Sequence, residues 1–159
     1  MEMKRSLILA LGSNLGNREE LINRAYELIE TSIGTIKLKS SLYENEAVGF
    51  QSENLFINSC IEVETILAPL EILKCTQSIE KDLGRQEKSN NTGYESRKID
   101  IDIILLDAVV HSSKTLTVPH KLFRNRLFVL IPLLEIAKHR IDPITQLTIT
   151  QLVELNSPK

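Results

Sequence analysis

Tryptophan is absent, aromatic residues make up 4% of the 159-residue chain, and the formal net charge is -2. That combination argues against an RNA-recognition sheet, which needs exposed rings on its central strands and a basic surface. Only two cysteines occur, and Cys60 and Cys75 show neither C-x-x-C spacing nor a histidine partner. Both are therefore expected to be ordinary reduced thiols, outside any zinc site or disulfide framework. No apolar run approaches the roughly 20 residues of a membrane-spanning helix. The leading residues Met1 to Arg5 pass straight into a strand-like Leu7 to Leu11, without the apolar region and cleavage site of a signal peptide. The expectation is a cytoplasmic protein with no membrane and no nucleic-acid partner. With so little net charge, positive potential must be gathered locally. The residues able to supply it are Arg97, Lys98, His120, Lys121, Arg124 and Arg126.

What is present suits one domain over residues 1–159, since 42% hydrophobic residues are enough for a sizeable core. Leu7 to Leu11 is a buried-type strand, followed by the turn cluster Gly12-Ser13-Asn14-Leu15-Gly16-Asn17 and a helix carrying Leu21, Ala25, Leu28 and Ile29. Residues Ile36 to Tyr43 and Leu55 to Ile66 read as a second and third strand. Pro69 opens a second helix with Leu70, Leu73, Gln77 and Leu83, which stops at Gly84. The most apolar run, Ile99 to Leu106, is the next strand. The order β-α-β-β-α-β predicts a ferredoxin-like α+β fold, an antiparallel sheet with helices on one face. A short strand over Thr115 to Val118, a helix over Phe128 to Ala137 despite Pro132, and a last helix capped by Thr148 and Gln151 follow as C-terminal additions. Two connections, Glu44 to Asn54 and Arg85 to Lys98, are long and polar, as functional loops are. The second has the composition of a flap that closes over a ligand.

Within the apolar run, Asp100 and Asp102 alternate with Ile99, Ile101 and Ile103. Side chains at i and i+2 of a strand share a face, so both carboxylates project together, about 6–7 Å apart at the backbone. At that spacing their oxygens can converge on one Mg²⁺ or bridge a pair of ions about 3.5–4 Å apart. Two anions facing one way need a cation or donors if they are not simply solvated. A phosphate loop is not found at Gly12 to Gly16, because the G-x-x-x-x-G-K-[ST] spacing and its lysine are missing. Helix capping by Asn14 or Asn17, and unusual backbone angles at Gly12 and Gly16, explain that cluster better.

On the third strand Leu55, Ile57, Ser59, Ile61 and Val63 share one face, while Phe56, Asn58 and Cys60 share the other. A ring beside an amide suits a flat heterocycle, but core packing around one hydrogen-bonded Asn explains the pattern as well. Phe128, near Arg126, makes a two-sided ring clamp conceivable. His120, Lys121, Arg124 and Arg126 place cations within seven residues, suited to phosphate oxygens. His111 and His139 have no such company and are read as surface residues.

These segments together resemble the 6-hydroxymethyl-7,8-dihydropterin pyrophosphokinase (2-amino-4-hydroxy-6-hydroxymethyldihydropteridine diphosphokinase) family of folate biosynthesis over nearly the whole length. The residues that carry the resemblance are Leu11-Gly12-Ser13-Asn14-Leu15-Gly16, Val48-Gly49, Phe56-Ile57-Asn58, Thr76 to Glu80, Leu83-Gly84-Arg85 and Arg97 to Asp102. Thr117-Val118-Pro119-His120, Asn125 to Phe128 and Ile131-Pro132-Leu133 complete the series in the family's order. The resemblance implies transfer of the terminal diphosphate of ATP to the pterin hydroxymethyl group with release of AMP, by in-line attack on the β-phosphorus. It implies two Mg²⁺ ions held by Asp100 and Asp102, and a catalytic set of Arg85, Arg97, Asp100, Asp102, His120 and Arg126. The pterin would meet Asn45, Val48, Phe56, Asn58 and Phe128. The nucleotide would be bordered by Leu73, Gln77, Glu80, Lys88, Tyr94, Ile103, Thr117 and Lys121. ATP and the pterin are thus the expected partners of a monomer.

The chain departs from the family pattern at Glu87, at Tyr94 in place of a common Trp, at Lys121, and at Asn45-Glu46-Ala47 in the pterin loop. A regulatory small-molecule domain on the same frame would leave the paired aspartates and arginines without a task. An ordinary kinase on the same pterin would release ADP.

Overall fold

Strand β1 (Arg5–Ser13) has buried residues on both faces, and antiparallel strands flank it on each side. We describe these elements from a computed structural model that covers residues 3–13, 18–45, 56–84 and 99–157. On one side of β1 lies β4 (Phe56–Thr65), which also pairs with β2 (Gly34–Lys39) and β3 (Tyr43–Asn45); on the other lies β5 (Ile99–Leu106). The order β2-β4-β1-β5, antiparallel throughout, is the ferredoxin-like arrangement that the sequence predicts.

The expected second strand, Ile36 to Tyr43, is divided in two. At buried Ser40 the backbone N–H still donates to the Cys60 carbonyl at 2.9 Å, but the Cys60 N–H donates to Ser40 Oγ, also at 2.9 Å. The hydroxyl thus takes the place of a ladder carbonyl, and regular pairing resumes only at Tyr43.

Alternation sorts the strand side chains into two cores. Leu7, Leu9, Leu11, Ile57, Ile61, Val63, Ile99, Ile101 and Ile103 face helices α1 (Arg18–Ser32) and α2 (Pro69–Gly84). The helix stripe is Ile22, Ala25, Tyr26 and Ile29 on α1 and Ile72, Thr76, Ile79 and Leu83 on α2, each at helical spacing. Leu70, expected on the α2 face, is instead 50% exposed. Glu71 caps α2 by accepting from the Ala68 N–H at 2.9 Å.

The core's own helices lie on one face as expected, and the C-terminal helices cover the other. Helices α3 (Leu127–Ala137) and α4 (Ile149–Asn156) bury Val129, Leu130, Leu133, Ile149 and Leu152 against Ile8, Ala10, Cys60, Ile104 and Leu105. A bulge leaves Ile104 without a cross-strand partner, so Ile104 and Leu105 both join this second cluster. The helix α4 cap is the expected one: Gln151 N–H donates to Thr148 Oγ1 at 3.1 Å, and Thr148 N–H to Gln151 Oε1 at 2.9 Å. Pro132 lies buried within α3, tolerated where the helix is packed on the sheet. Cys60 is buried and Cys75 half-buried, and both are free thiols. Among the described residues no helix is long and apolar enough to cross a membrane.

Candidate active site

The strand residues that meet α3 and α4 are Ile8, Ala10, Cys60, Ile104 and Leu105, and further along the same face the strands carry polar residues. In register, Tyr43 of β3 lies opposite Asn58 of β4, Asn58 opposite Gly12 of β1, and Gly12 opposite Asp100 of β5. Directly opposed residues of antiparallel strands share a face, so these four form one row across the sheet. In the next row Ala10 separates Cys60 from Asp102. The aspartates are half-buried while Ile99, Ile101 and Ile103 are buried, as the alternation predicts.

Gly12 turns out to serve space rather than unusual backbone angles. It lies inside β1, and a Cβ there would sit 3.1 Å from Asn58 Oδ1. The missing side chain leaves room for the Asn58 carboxamide, only 7% exposed, against β1. By sequence alone this glycine belongs to the following turn, because nothing in one strand reveals what its neighbours place beside it.

Strand β5 is the outer strand of the β2-β4-β1-β5 order, and Glu80 of α2 serves its edge: Ile101 N–H donates to Glu80 Oε2 at 2.7 Å. The expected nucleotide residue therefore also fixes the backbone between the two aspartates. Along this edge runs a cleft of about 330 Å³, walled by Leu73, Ile101, Asp102, Ile103, Thr117, His120 and Lys121. Ser113, Lys114, Thr115 and Leu116 complete it. Those four were not singled out from the sequence. They come to the cleft through the hairpin of β6 (His111–Ser112) and β7 (Thr117–Val118), whose strands are too short to show a period. The Ser-Lys-Thr turn composition was the only available signal. Gln77, on the same helix as Leu73, is exposed.

His120 is held at the cleft by its backbone N–H, which donates to the Ile104 carbonyl at 3.0 Å. Its ring accepts at Nδ1 from the Leu122 N–H at 3.1 Å, so the neutral imidazole carries its proton on Nε2. Burial lowers its pKa below 6.5; Asp102 opposes this shift, and the nearby Arg126, Lys121 and Arg124 reinforce it.

Arg124 is not available to a ligand. Its guanidinium grips the fully buried Asp142 with two hydrogen bonds, from Nε and Nη2, the second at 3.0 Å. Asn156 Nδ2 donates to its carbonyl at 2.7 Å. This arginine instead anchors the 3-10 turn Phe123–Asn125 that links His120 to Arg126. Arg126 stands at the N-cap of α3 with its guanidinium 5.5 Å from the Phe128 ring centroid. Phe128, half-buried, packs against the second core, and half-buried Phe56 lies on the same strand face as Asn58. The Asn45 backbone pairs with Phe56.

The structure thus brings Asp102, His120, Lys121, Leu73, Ile103 and Thr117 around one cleft, with Asp100 two residues before Asp102 on the same strand face and in one row with Asn58. Arg85, Arg97, Val48, Lys88 and Tyr94 lie outside the described residues. Among the described residues no cluster of three or more His, Cys, Asp or Glu could hold a metal. Two carboxylates with hard oxygen donors suit Mg²⁺, which keeps waters and takes substrate phosphates among its ligands.

A family model described as 7,8-dihydro-6-hydroxymethylpterin-pyrophosphokinase (HPPK) matches residues 8–138. A Porphyromonas gingivalis protein named 2-amino-4-hydroxy-6-hydroxymethyldihydropteridine pyrophosphokinase is 42% identical over 130 residues, covering 81% of this chain and 88% of that protein. A Bacillus subtilis protein of the same name is 37% identical over 137 residues, covering 86% and 80%. Among solved structures, the Plasmodium falciparum HPPK-DHPS triple mutant superposes with a TM-score of 0.77 at 16% identity. That match covers 97% of this chain but 44% of the Plasmodium chain, so the chain spans less than half of that protein, and the likeness is one of fold.

Proposed function

The chain belongs to the 7,8-dihydro-6-hydroxymethylpterin-pyrophosphokinase family, and from that membership we propose that its open sheet face moves the terminal diphosphate of ATP onto the hydroxymethyl group of 6-hydroxymethyl-7,8-dihydropterin, releasing AMP. The reaction is a step of folate synthesis. The observation that carries this reading is the row Asn58, Gly12, Asp100, which sets a residue suited to the pterin edge two strand spacings from a residue suited to the metal. Two spacings are about 10 Å, and the intervening glycine leaves the floor open.

The pterin would lie between Phe56 and Phe128, whose rings stack on its faces, with the Asn58 carboxamide reading its edge. Asn45 and Val48 would complete the pocket from the first long connection. The triphosphate would lie along the β5 edge, with the nucleotide against Leu73, Ile103, Thr117 and Lys121 and beside Gln77 and Glu80. Asp100 and Asp102 would hold two Mg²⁺ ions. When bound, such ions supply Lewis-acid neutralisation of the phosphate oxygens and a template for in-line displacement. The His120 Nε2–H and the Arg126 guanidinium donate to phosphate oxygens, and Arg85 and Arg97 add charge from the flap with Lys88 and Tyr94. The hydroxymethyl oxygen attacks the β-phosphorus and gives up its proton to solvent, the bond from that phosphorus to the α,β-bridging oxygen breaks, and AMP departs with the electron pair. Positioning and charge stabilisation dominate such transfers, so the reaction requires no strong base.

Asp100→Asn and Asp102→Asn test the assignment. Each is expected to lose several kcal/mol of transition-state stabilisation, about 10³-fold in rate, with an unchanged circular dichroism spectrum. Near-wild-type turnover in either variant would remove these residues from the metal site.

A further inference from the structure

Outside the cleft, one surface carboxylate is bound more completely than its position on a helix requires. Glu135 of α3 is exposed, yet it accepts from the Ser41 N–H at 2.9 and 3.0 Å, from Ser41 Oγ at 3.2 Å and from the Tyr43 hydroxyl at 2.6 Å. An exposed glutamate is ordinarily solvated, whereas here three donors from one segment converge on it. Hydrogen bonds to an ionised acceptor are about twice as strong as neutral ones. The Tyr43 hydroxyl, and after it the Ser41 N–H, hold the Glu135 carboxyl below its ordinary range, and the same bond raises the Tyr43 phenol.

The two ends of this strap both lead to the pterin side of the site. Glu135 follows Phe128 by seven positions, which puts both on one face of α3, about 10 Å apart along its axis. Tyr43 is the ladder partner of Asn58 and the outermost member of the row Tyr43, Asn58, Gly12, Asp100. Two residues further on, Asn45 pairs with Phe56 and the chain enters the first long connection. Ser40, just before the strap, is fastened to Cys60 by two bonds. The β2–β3 corner is therefore tied to the sheet at one residue and to α3 at the next.

We propose that Glu135 is a positioning residue for the pterin: by strapping Ser41 and Tyr43 to α3 it sets the spacing between Phe128 and the β3–β4 edge that carries Asn45, Phe56 and Asn58. This rests on the pterin reading above. The ATP cleft, on the far side of β1, does not depend on the strap. A role of this kind separates the two substrates.

The test measures KM for pterin and for MgATP, and the melting temperature, in the full chain and in its Glu135→Ala, Glu135→Gln and Tyr43→Phe variants. Glu135→Ala should raise the pterin KM between about tenfold and a hundredfold, in line with the cost of small misplacements. MgATP KM should stay within twofold. Glu135→Gln, which keeps an acceptor oxygen, should restore part of the loss, and Tyr43→Phe should show a smaller loss with the same substrate preference. An unchanged pterin KM would overturn the proposal. So would equal losses for both substrates that track a lowered melting temperature, the mark of a merely structural tie. A wild-type chain that makes no AMP from the pterin would remove the underlying reading itself, whereas an active wild type with an indifferent Glu135→Ala removes only the strap.

Discussion

Asn58 and Asp100 stand opposite the same residue, Gly12, from its two sides, so that a buried amide and a carboxylate share one row of the sheet with no side chain between them. The strand position that joins them carries no side chain.

That row makes Gly12 a sensitive position. A Cβ at 3.1 Å from Asn58 Oδ1 forces the amide to give by a few tenths of an ångström, without backbone strain. Gly12→Ala is expected to raise the pterin KM about tenfold, and Gly12→Val, which also crowds Asp100, to cost about 10²-fold or more in kcat/KM. Steady-state kinetics on both variants check this. A Gly12→Val enzyme with wild-type constants would show that the row is not used.

The Arg124–Asp142 pair predicts an acid-sensitive fold. Burial alone would raise the Asp142 carboxyl, but the bonds from Arg124, Thr145 and the Ile144 N–H outweigh it and hold the pKa below 3.8. Between that value and the folded one, the unfolded chain binds a proton that the native chain does not. The stabilisation is therefore complete above pH 3.8 and lost as pH falls through the folded value. Asp142→Asn should cost about 3–5 kcal/mol at neutral pH, because Arg124 is left without its counter-charge. Its urea midpoint should also vary less with pH in acid than that of the wild type.

For His120, nuclear magnetic resonance should show a proton on Nε2, none on Nδ1, and a titration midpoint below 6.5. The sign for stability follows: the contribution is present above pH 6.5 and is lost as pH falls toward the depressed value. Replacing one preorganised donor, as in His120→Ala, should lower kcat by about 10²–10³-fold. A ring that titrates at or above 6.5 would contradict the buried, neutral donor.

Much of this was legible in the chain because it depends on local period. The faces of Phe56, Asn58 and Cys60, the shared face of Asp100 and Asp102, and the Thr148–Gln151 cap all follow from spacings of two or three residues. What depends on partners far along the chain was not. Arg124 looked like one more phosphate-binding cation until Asp142 was placed against it. Gly12 looked like a turn residue until β4 and β5 were set beside it. The covering of the second face by α3 and α4 follows from tertiary packing of apolar stripes whose periods look the same whichever face they meet.

The most direct test is nucleotide analysis after incubating the protein with ATP, Mg²⁺ and 6-hydroxymethyl-7,8-dihydropterin, beside a control without the pterin. The account predicts AMP, formed only when the pterin is present and in step with a diphosphorylated pterin. ADP as the product, AMP without the pterin, or no ATP consumption by the folded protein would contradict it.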